Sequence, residues 1–314
     1  MSRIAALTGG TGFVGRAIAR RLVEDGWHLR MLVRQPIAHS QLDGIPIEPI
    51  IGDLTDRQSL ERLVASAGVV VHCAGLTKAL GVQEFFHVNA TGCALVGEAV
   101  ARFAPAARVV LVSSLAAREP QLSPYAESKR AGETALTNAL STDRCIIVRP
   151  TAVYGPWDLA TLPVFQAAAR GVVPMLNTGA ARVSMIHVHD LAAAVGALSR
   201  EGPTGGLYEL DDGTVAGYAW RDIIAHVAAA VGRNAVPLRI PSPVLKAVAI
   251  MTETACRLRG KPSVLTTGKV REILHPDWTC HADRSPPPEI WRPRIKIDKG
   301  FADTVSWYRM MNWL

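Results

Sequence analysis

The feature that most constrains this chain is an apolar strand that runs directly into a glycine-rich turn and then a helix. Residues 3–8 (RIAALT) have the length and apolar content of a buried strand, and GGTGFVG follows at 9–15. Apolar residues then recur at helical spacing over 13–24. Strand, glycine turn and helix in this order are typical of a dinucleotide-binding unit.

The three glycines of this turn, Gly9, Gly12 and Gly15, are spaced three residues apart. Gly9 would permit the tight turn, Gly12 the close approach of a pyrophosphate, and Gly15 the close packing of helix on strand. The helix amino terminus would direct its free N–H groups and its positive dipole end at the phosphates. Three spaced glycines also fit an ordinary strand-to-helix turn, so the interpretation depends on a second pattern downstream.

That second pattern is a hydroxyl, a phenol and an ammonium after another apolar strand, residues 109–114. The strand ends in two serines, of which Ser114 is the preferred partner for a substrate oxygen and Ser113 the alternative. A helix beginning at the next Ser-Pro would carry Tyr125 and Lys129 on one face. A free phenol titrates near pH ~10, and an adjacent ammonium favours its ionised form. Tyr125 could then exchange a proton with a substrate near neutral pH; a core tyrosine beside a solvated lysine is the alternative.

These motifs together resemble the extended short-chain dehydrogenase/reductase superfamily. It includes nucleotide-sugar epimerases and dehydratases, 3β-hydroxysteroid dehydrogenases and dihydroflavonol reductases. The matching segments are TGGTGFVG at 8–15, GDLTD at 52–56, HCAG at 72–75, HVNATG at 87–92, SSLAAREPQLSPYAESK at 113–129, RPTAVYGP at 149–156, SMIHVHDLAAAV at 184–195 and WRPRIKIDKGFADTVSWY at 291–308. The resemblance spans nearly the whole chain. It implies an α/β fold, a Rossmann-type doubly wound parallel sheet with a smaller C-terminal substrate-binding lobe.

The resemblance also implies roles for individual residues. Tyr125 would be the acid/base group, Lys129 would hold the nicotinamide ribose, Ser114 would orient the substrate oxygen, and Asn89 would be a structural and proton-relay residue. The residues that would contact the cofactor are Gly9, Gly12, Phe13, Val14, Gly15, Arg34, Asp53, Leu54, Ala74, Gly75, Lys129, Pro150 and Val153.

Apolar strand candidates alternate with helical ones over the first 150 residues. We expect strands near 3–8, 28–33, 46–51, 69–73, 108–113 and 145–149, and helices near 13–24, 56–66, 83–103 and 124–140. Alternation of this kind indicates a parallel sheet covered on both faces, with the ligand beyond the carboxyl ends of the strands. The predicted dinucleotide-binding domain is 1–150, to which 183–200 returns. Residues 151–182 and 201–314, with helices near 219–231 and 243–258, form the predicted lobe.

The residue that follows the second predicted strand bears on cofactor choice. NAD-preferring relatives carry an acidic residue there, which binds the adenine ribose hydroxyls. Here the strand ends LRMLVR, and Arg34 could pair bidentately with a 2′-phosphate, with Arg16 nearby. The sequence therefore favours NADP(H) over NAD(H). An Arg34 that is solvated, or stacked on the adenine, is the alternative.

Two enzymatic reactions are compatible with these residues. Net hydride transfer between a nicotinamide cofactor and a secondary alcohol or ketone of a small, apolar substrate is favoured by two departures from family patterns. The Ser114–Tyr125 connection is short and has no VYG after the serines, unlike the sugar epimerases, and no acid pair follows Ser114 as it does in the sugar dehydratases. The alternative is a nucleotide-sugar epimerase or dehydratase with tightly bound NAD(P), in which Arg182 could bind a diphosphate. A third class, a non-enzymatic cofactor-binding scaffold, is disfavoured by the intact serine, tyrosine and lysine.

Composition further limits the class of protein, its cellular compartment and its partners. The 314 residues are 49% hydrophobic and 19% charged with a net charge of +7, which fits a globular fold. Five scattered cysteines fit a reduced, cytoplasmic compartment, and no secretory signal or membrane-spanning run is predicted. We expect a small-molecule substrate and no nucleic-acid partner. The resemblance implies a homodimer through the helices at 83–103 and 124–140.

Two segments support competing interpretations. HVHD at 187–190 could suggest a metal site, but no ligand cluster accompanies it. Asp190 is therefore interpreted as the N-cap of a helix at 191–200, and no metal is predicted. Residues 242–261 are apolar on one face and basic at their end. A lobe helix packed on the core is favoured there, and a lid over an apolar substrate or a peripheral contact with a membrane surface is the alternative.

Overall fold

The computed structural model describes residues 3–175 and 181–314. The strands are β1 (Ile4–Thr8), β2 (His28–Val33), β3 (Ile47–Ile51), β4 (Val69–His72), β5 (Arg108–Val112), β6 (Cys145–Pro150), β7 (Ala152–Tyr154), β8 (Val172–Met175), β9 (Arg182–Val183), β10 (Met185–His187), β11 (Leu207–Leu210), β12 (Tyr218–Ala219), β13 (Val236–Arg239) and β14 (Asp277–Trp278). The helices are α1 (Phe13–Glu24), α2 (Arg57–Val64), α3 (Val82–Phe86), α4 (Gly92–Phe103), α5 (Pro124–Leu140), α6 (Leu162–Ala169), α7 (Val188–Arg200), α8 (Trp220–Val231), α9 (Ser242–Leu258), α10 (Thr267–Leu274) and α11 (Ile297–Met310).

The main sheet has seven strands in the order β11-β6-β5-β4-β1-β2-β3. Every pairing from β6 across to β3 is parallel. The chain builds outward from β1 to β3 on one side, then crosses over and builds from β4 to β6 on the other. The order therefore reverses between β1 and β4, where a doubly wound sheet binds its ligand. This confirms the predicted Rossmann-type α/β fold.

The strands of this sheet are apolar on both faces because helices cover both faces. All four residues of β4 and four of the five in β1 and β5 are buried. The core on one face joins β4 and β5 to α2, α4 and α5 through residues such as Val70, Val109, Leu63, Val96 and Leu136. The predicted strands and helices of this region lie within two residues of those observed, apart from one interruption described below.

The start of α5 follows from its cap. Ser123 has extended dihedrals, and its Oγ accepts a hydrogen bond from the backbone N–H of Ala126 at 3.0 Å. Pro124 occupies the first helical position, where its missing N–H is not needed. The helix therefore begins at the predicted residue, which places Tyr125 in its first turn.

Contacts divide the described residues into two compact units. The first contains the described chain up to Arg149 together with Leu191–Glu209 and Pro286–Trp291, and the second contains the remainder. The segment that returns to the first unit is 191–209, whereas the sequence indicated 183–200. The later end follows from β11, which the sequence did not predict and which joins the main sheet beside β6. The later start follows because β10 pairs with β7 in the second unit.

The second unit has small sheets and an aromatic core. The sheets are β7 with β10, β8 with β13, and β9 between β12 and β14. The core includes Tyr154, Phe165, Phe301 and Tyr308, whose rings meet edge to face, for example Tyr154 and Phe301 at 4.8 Å between centroids. Among the described residues, no helix combines the length and the apolar content that a membrane crossing requires.

Asp190 does not have the predicted capping role. Helix α7 begins at Val188, directly after β10, so Asp190 lies inside its first turn rather than at its N-cap. Its Oδ2 instead accepts hydrogen bonds from the backbone N–H groups of Arg294 and Ile295, both at 2.8 Å. The carboxylate therefore provides the hydrogen-bond acceptor for two backbone N–H groups that are about a hundred residues away in sequence.

Candidate active site

The glycine turn between β1 and α1 is shaped by close contacts at two of its three glycines. Gly9 has φ +73°, and a Cβ on it would lie 2.5 Å from the backbone nitrogen of Ala74. A Cβ on Gly15 would lie 2.0 Å from the carbonyl oxygen of Gly9. Gly12 differs, because it has φ −75° and its Cβ would meet nothing among the described residues closer than 3.4 Å. The fold therefore requires Gly9 and Gly15, whereas Gly12 leaves open the space that a pyrophosphate needs.

This difference makes Gly12→Ala a sharp test of cofactor binding. We expect the variant to bind a nicotinamide dinucleotide at least about tenfold more weakly, because its methyl group occupies the space for the pyrophosphate. We expect its thermal midpoint to stay within about 2 °C of wild type, because the added Cβ meets no clash. Titration with nucleotide and a melting curve measure both.

Gly81→Ala is the matched control. Gly81 also has extended dihedrals and directly precedes a helix. Among the described residues, a Cβ on it would meet only Gln83 Oε1, at 3.6 Å. This control should keep both its affinity and its midpoint. A folded Gly12→Ala protein with wild-type nucleotide affinity would contradict the assignment of the turn.

Tyr125 and Lys129 lie on one face of α5, in different surroundings. Tyr125 is half-buried, with its ring 6.1 Å from that of Phe85. Lys129 is buried, and its Nζ donates a hydrogen bond to the carbonyl oxygen of Val112 at 3.0 Å. The ammonium is therefore fixed at the carboxyl end of β5, one helical turn beyond the phenol.

The two serines after β5 have different partners. Ser113 is buried, and its Oγ donates to Glu133 Oε1 at 2.6 Å. Ser114 is half-buried, and its Oγ accepts from the backbone N–H of Ala116 at 3.2 Å, which leaves its hydroxyl proton for another acceptor. The geometry therefore favours Ser114 over Ser113 as a donor to a substrate oxygen.

Asn89 lies in a π-helical turn, His87–Thr91, which interrupts the helix predicted over 83–103. Its Oδ1 accepts from the backbone N–H of Leu76 at 2.7 Å, and its Nδ2 donates to the carbonyl oxygen of Leu76 and to Ser128 Oγ. A Cβ on Gly75 would lie 3.1 Å from Asn89 Oδ1 and 3.5 Å from Lys129 Nζ. Gly75, Asn89 and Lys129 are thus brought together, and π turns of this kind are frequent at functional sites.

Two charged side chains follow the carboxyl ends of β2 and β3. Arg34 comes directly after β2 and is exposed. Asp53 follows β3, and its carboxylate accepts hydrogen bonds from the hydroxyl and the backbone N–H of Thr55, which lower its pKa. The charge of Arg34 lowers that pKa further. These residues therefore share the edge of the sheet at which an adenine ribose would bind.

Arg16 is placed differently from Arg34. It is nearly buried, and its Nε donates to Gln41 Oε1 at 2.5 Å while its Nη1 donates to the carbonyl oxygen of Thr11 at 2.6 Å. These bonds hold the glycine turn against the loop after β2. Arg34 is accordingly the stronger candidate for a 2′-phosphate ligand.

The remaining predicted cofactor residues lie in several elements. Phe13 and Val14 are half-buried in the first turn of α1, and Leu54 packs closely against Gly92. Pro150 ends β6, and Val153 lies in β7, where it pairs with Ile186 of β10. These last two belong to the second unit.

One buried network was missed by the sequence analysis. Thr8 Oγ1 and His72 Nδ1 are 2.6 Å apart, and the same Oγ1 accepts from the backbone N–H of Ala74 at 3.2 Å. Burial, with a smaller contribution from the positive charge of Lys129, lowers the pKa of His72 to about 3. A neutral histidine therefore connects the ends of β1 and β4, where the cofactor turn is built.

A second buried network was also missed. Glu133 forms a bidentate pair with Arg149, at 2.8 and 2.6 Å, and also accepts the bond from Ser113. It lies one turn after Lys129 on α5. The sequence gives little indication that Glu133 is buried, because a glutamate on a helix usually lies on the solvent-exposed face.

The HVHD segment belongs to the aromatic part of the second unit. The His187 ring lies 5.4 Å from that of Tyr154 and 5.0 Å from that of His189. Burial lowers the pKa of His187 to about 3. The described residues contain no group of three or more histidine, cysteine, aspartate or glutamate side chains that could hold a metal ion.

A family model described as the NAD dependent epimerase/dehydratase family matches residues 5–210. The chain belongs to this family. This match, together with the reductase relatives below, confirms the resemblance to the extended short-chain dehydrogenase/reductase superfamily. The protein is thus an NAD(P)-dependent enzyme among the reductases, epimerases and dehydratases of the extended type. The glycine turn, with its open space at Gly12, fits the dinucleotide that this family binds.

Relatives of this family member include reductases. The ceramide reductase of Caulobacter vibrioides is 42% identical over 99% of this chain and 96% of its own length. The 2-alkyl-3-oxoalkanoate reductase of Stenotrophomonas maltophilia is 26% identical over 87% of this chain and 89% of its own.

Solved structures share the fold of this family member. The crystal structure of gox2253 matches with a TM-score of 0.75 and 21% identity over 100% of both chains. The UDP-glucose 4-epimerase of Thermotoga maritima matches with a TM-score of 0.73 and 15% identity over 98% of this chain and 99% of that one. At these identities the likeness supports the fold alone.

Proposed function

We propose that this protein reduces the ketone of a ceramide-type lipid to a secondary alcohol, with NADPH as the hydride donor. The observation that carries the proposal is the 42% identity to a ceramide reductase over 99% of the chain. Ceramides carry a secondary hydroxyl on a long alkyl chain, so a reductase that forms one acts on the corresponding ketone. A cytoplasmic location would give the enzyme access to reduced cofactor.

The proposed mechanism assigns one task to each residue of the site. The cofactor, when bound, supplies the hydride that adds to the carbonyl carbon. Tyr125 donates its phenolic proton to the carbonyl oxygen, and Ser114 donates a hydrogen bond to that same oxygen. Lys129, fixed on the carbonyl of Val112, binds the nicotinamide ribose and favours the phenolate left after proton transfer. Asn89 holds the segment after Gly75 in place.

The alternative is a nucleotide-sugar epimerase or dehydratase with tightly bound NAD(P). It would need a ligand for the diphosphate of the sugar nucleotide, and Arg182 was the candidate. Arg182 Nε donates to the carbonyl of Ala216, and its Nη2 donates to that of Gly217 at 2.9 Å. These bonds commit two of its nitrogens to the backbone, which supports the reductase over the alternative.

A substrate panel distinguishes the two reactions. Purified protein is incubated with NADPH and a short-chain keto-ceramide analogue, and in parallel with UDP-glucose and dTDP-glucose. We expect nicotinamide absorbance to fall with the ketone, and mass spectrometry to find the alcohol, two hydrogens heavier. Conversion of a sugar nucleotide without net cofactor oxidation, and no reaction with the ketone, would overturn the proposal in favour of the alternative.

Arg34 is proposed to select NADPH by pairing with its 2′-phosphate. We expect Arg34→Asp to shift the NADPH to NADH ratio of kcat/KM toward NADH by about tenfold to a hundredfold, because a charged hydrogen bond becomes a repulsion. Arg102→Asp, an exposed change in the last turn of α4, is the control and should leave the ratio unchanged. An unchanged ratio in Arg34→Asp would mean that another residue reads the 2′ position.

A further inference from the structure

Helix α9 of the second unit is packed on one narrow face only. Of its seventeen residues, Leu245 and Ala249 are the two that are fully buried. They form a small apolar cluster with Val270 of α10. The buried face of α9 thus packs on α10 in a small cluster of its own rather than in the aromatic core of the second unit. Most of the remaining residues of α9 are exposed, and Thr252, Glu253, Ala255 and Cys256 are half-buried.

A second apolar stripe runs along an exposed side of α9. Val244, Val248, Met251 and Leu258 have 50%, 42%, 70% and 84% of their surface exposed. Their spacing of four, three and seven residues places them on one side of the helix, with Ala255 between the last two. This stripe lies about 100° around the helix from the buried face, since Val244 and Leu245 are consecutive. Within the described part of the chain, the helix thus has one packed apolar face and one exposed apolar face.

The exposed charged side chains of α9 and of the residues just after it are all basic. Lys246, Arg257, Arg259 and Lys261 are all exposed on α9 or just after it. The only acidic residue between 242 and 261 is Glu253, which accepts a hydrogen bond from the backbone N–H of Thr267 at 3.0 Å. Helical spacing places Lys246 and Arg257 on the side of α9 opposite the stripe, and Arg259 and Lys261 follow its C-terminal end. The helix therefore presents an apolar stripe to solvent and carries a net positive charge on its other side and at its end.

We infer that α9 is a docking surface for an anionic membrane, on which the helix lies in the plane of the interface. The apolar stripe enters the boundary between headgroups and acyl chains, Arg259 and Lys261 at the end of the helix meet anionic headgroups, and the positive charge of the whole segment attracts the anionic surface. The positive charge of this segment selects this occupant over a second copy of the chain, because two such positively charged helices would repel each other. The inference does not depend on the proposed lipid substrate, because the stripe and its charges are properties of this helix alone.

Flotation of the full chain with vesicles tests the inference. Vesicles of phosphatidylglycerol and phosphatidylcholine should carry wild-type protein upward, vesicles of phosphatidylcholine alone should not, and added salt should release it. The variant Met251→Glu/Leu258→Glu should reduce the floated fraction at least about tenfold, because two charges enter the apolar stripe. Both positions are exposed, so its thermal midpoint should match wild type.

Val215→Glu is the matched control. Val215 is 92% exposed in the second unit outside α9, so this variant should float like wild type. The inference is wrong if wild-type protein stays at the bottom with anionic vesicles, or if the stripe variant floats equally well. It is also wrong if gel filtration shows a dimer that the stripe variant dissociates, since the stripe would then bind a second copy. No outcome involves ketone reduction, so the proposed function is tested separately.

Discussion

Tyr125→Phe is expected to lower kcat for ketone reduction by about a hundred- to ten-thousand-fold, the usual contribution of a positioned acid/base group. Only the phenolic oxygen is lost, because a phenylalanine ring keeps the contact with Phe85. The nucleotide affinity should therefore stay within about twofold of wild type. Steady-state oxidation of NADPH and a direct nucleotide titration separate the two effects.

Removal of the phenolic oxygen of another tyrosine provides the control. The hydroxyl of Tyr154 is buried and has no hydrogen-bond partner among the described residues. Tyr154→Phe removes a desolvated polar atom, so it should be neutral or slightly stabilising and should retain activity. If Tyr125→Phe kept more than about a tenth of wild-type kcat, another group would have to supply the proton.

Glu133→Gln is expected to destabilise the protein by about 3–5 kcal/mol. The substitution leaves the guanidinium of Arg149, which is 1% exposed, without a counter-charge. It also weakens the acceptor for Ser113. Urea unfolding of wild type and variant, compared by midpoint and slope, measures the loss.

Two further variants isolate the cause. Glu127→Gln removes a carboxylate from the exposed side of the same helix and should cost under about 1 kcal/mol. Glu133→Met/Arg149→Met removes both charges and should recover part of the loss, because no unpaired charge stays buried. Wild-type stability in Glu133→Gln would mean that the ion pair contributes nothing net.

Local patterns predicted the sheet because each central strand is a short apolar run bounded by turn residues. Helix α5 begins at the predicted residue, since its Ser-Pro start is a signal contained in the sequence itself. Strand β11 has only four residues, LYEL, and its place beside β6 depends on pairing with a strand about sixty residues earlier. No local pattern encodes such pairing, so the strand was missed.

The candidate site also combines features that local sequence predicts with features that depend on distant residues. The glycine turn and the tyrosine–lysine spacing are local, and both could be interpreted directly. The sequence analysis already preferred Ser114 over Ser113, but the physical reason for that preference is the hydrogen bond of Ser113 to Glu133, which lies on another element and carries no distinguishing signal. The position of Asp190 depends likewise on a turn about a hundred residues away.

The open space at Gly12 separates folding from cofactor binding in a way that bears on evolution. Substitutions at Gly9 or Gly15 drive a Cβ into backbone atoms, so we expect them to destabilise the fold and to lower the abundance of the protein. Drift at Gly12 would instead leave an intact, abundant protein that no longer binds a nucleotide. One amino-acid substitution at this position can therefore convert a catalytic member of such a family into a folded protein without activity. A survey of variants that measures only protein abundance would score that substitution as harmless.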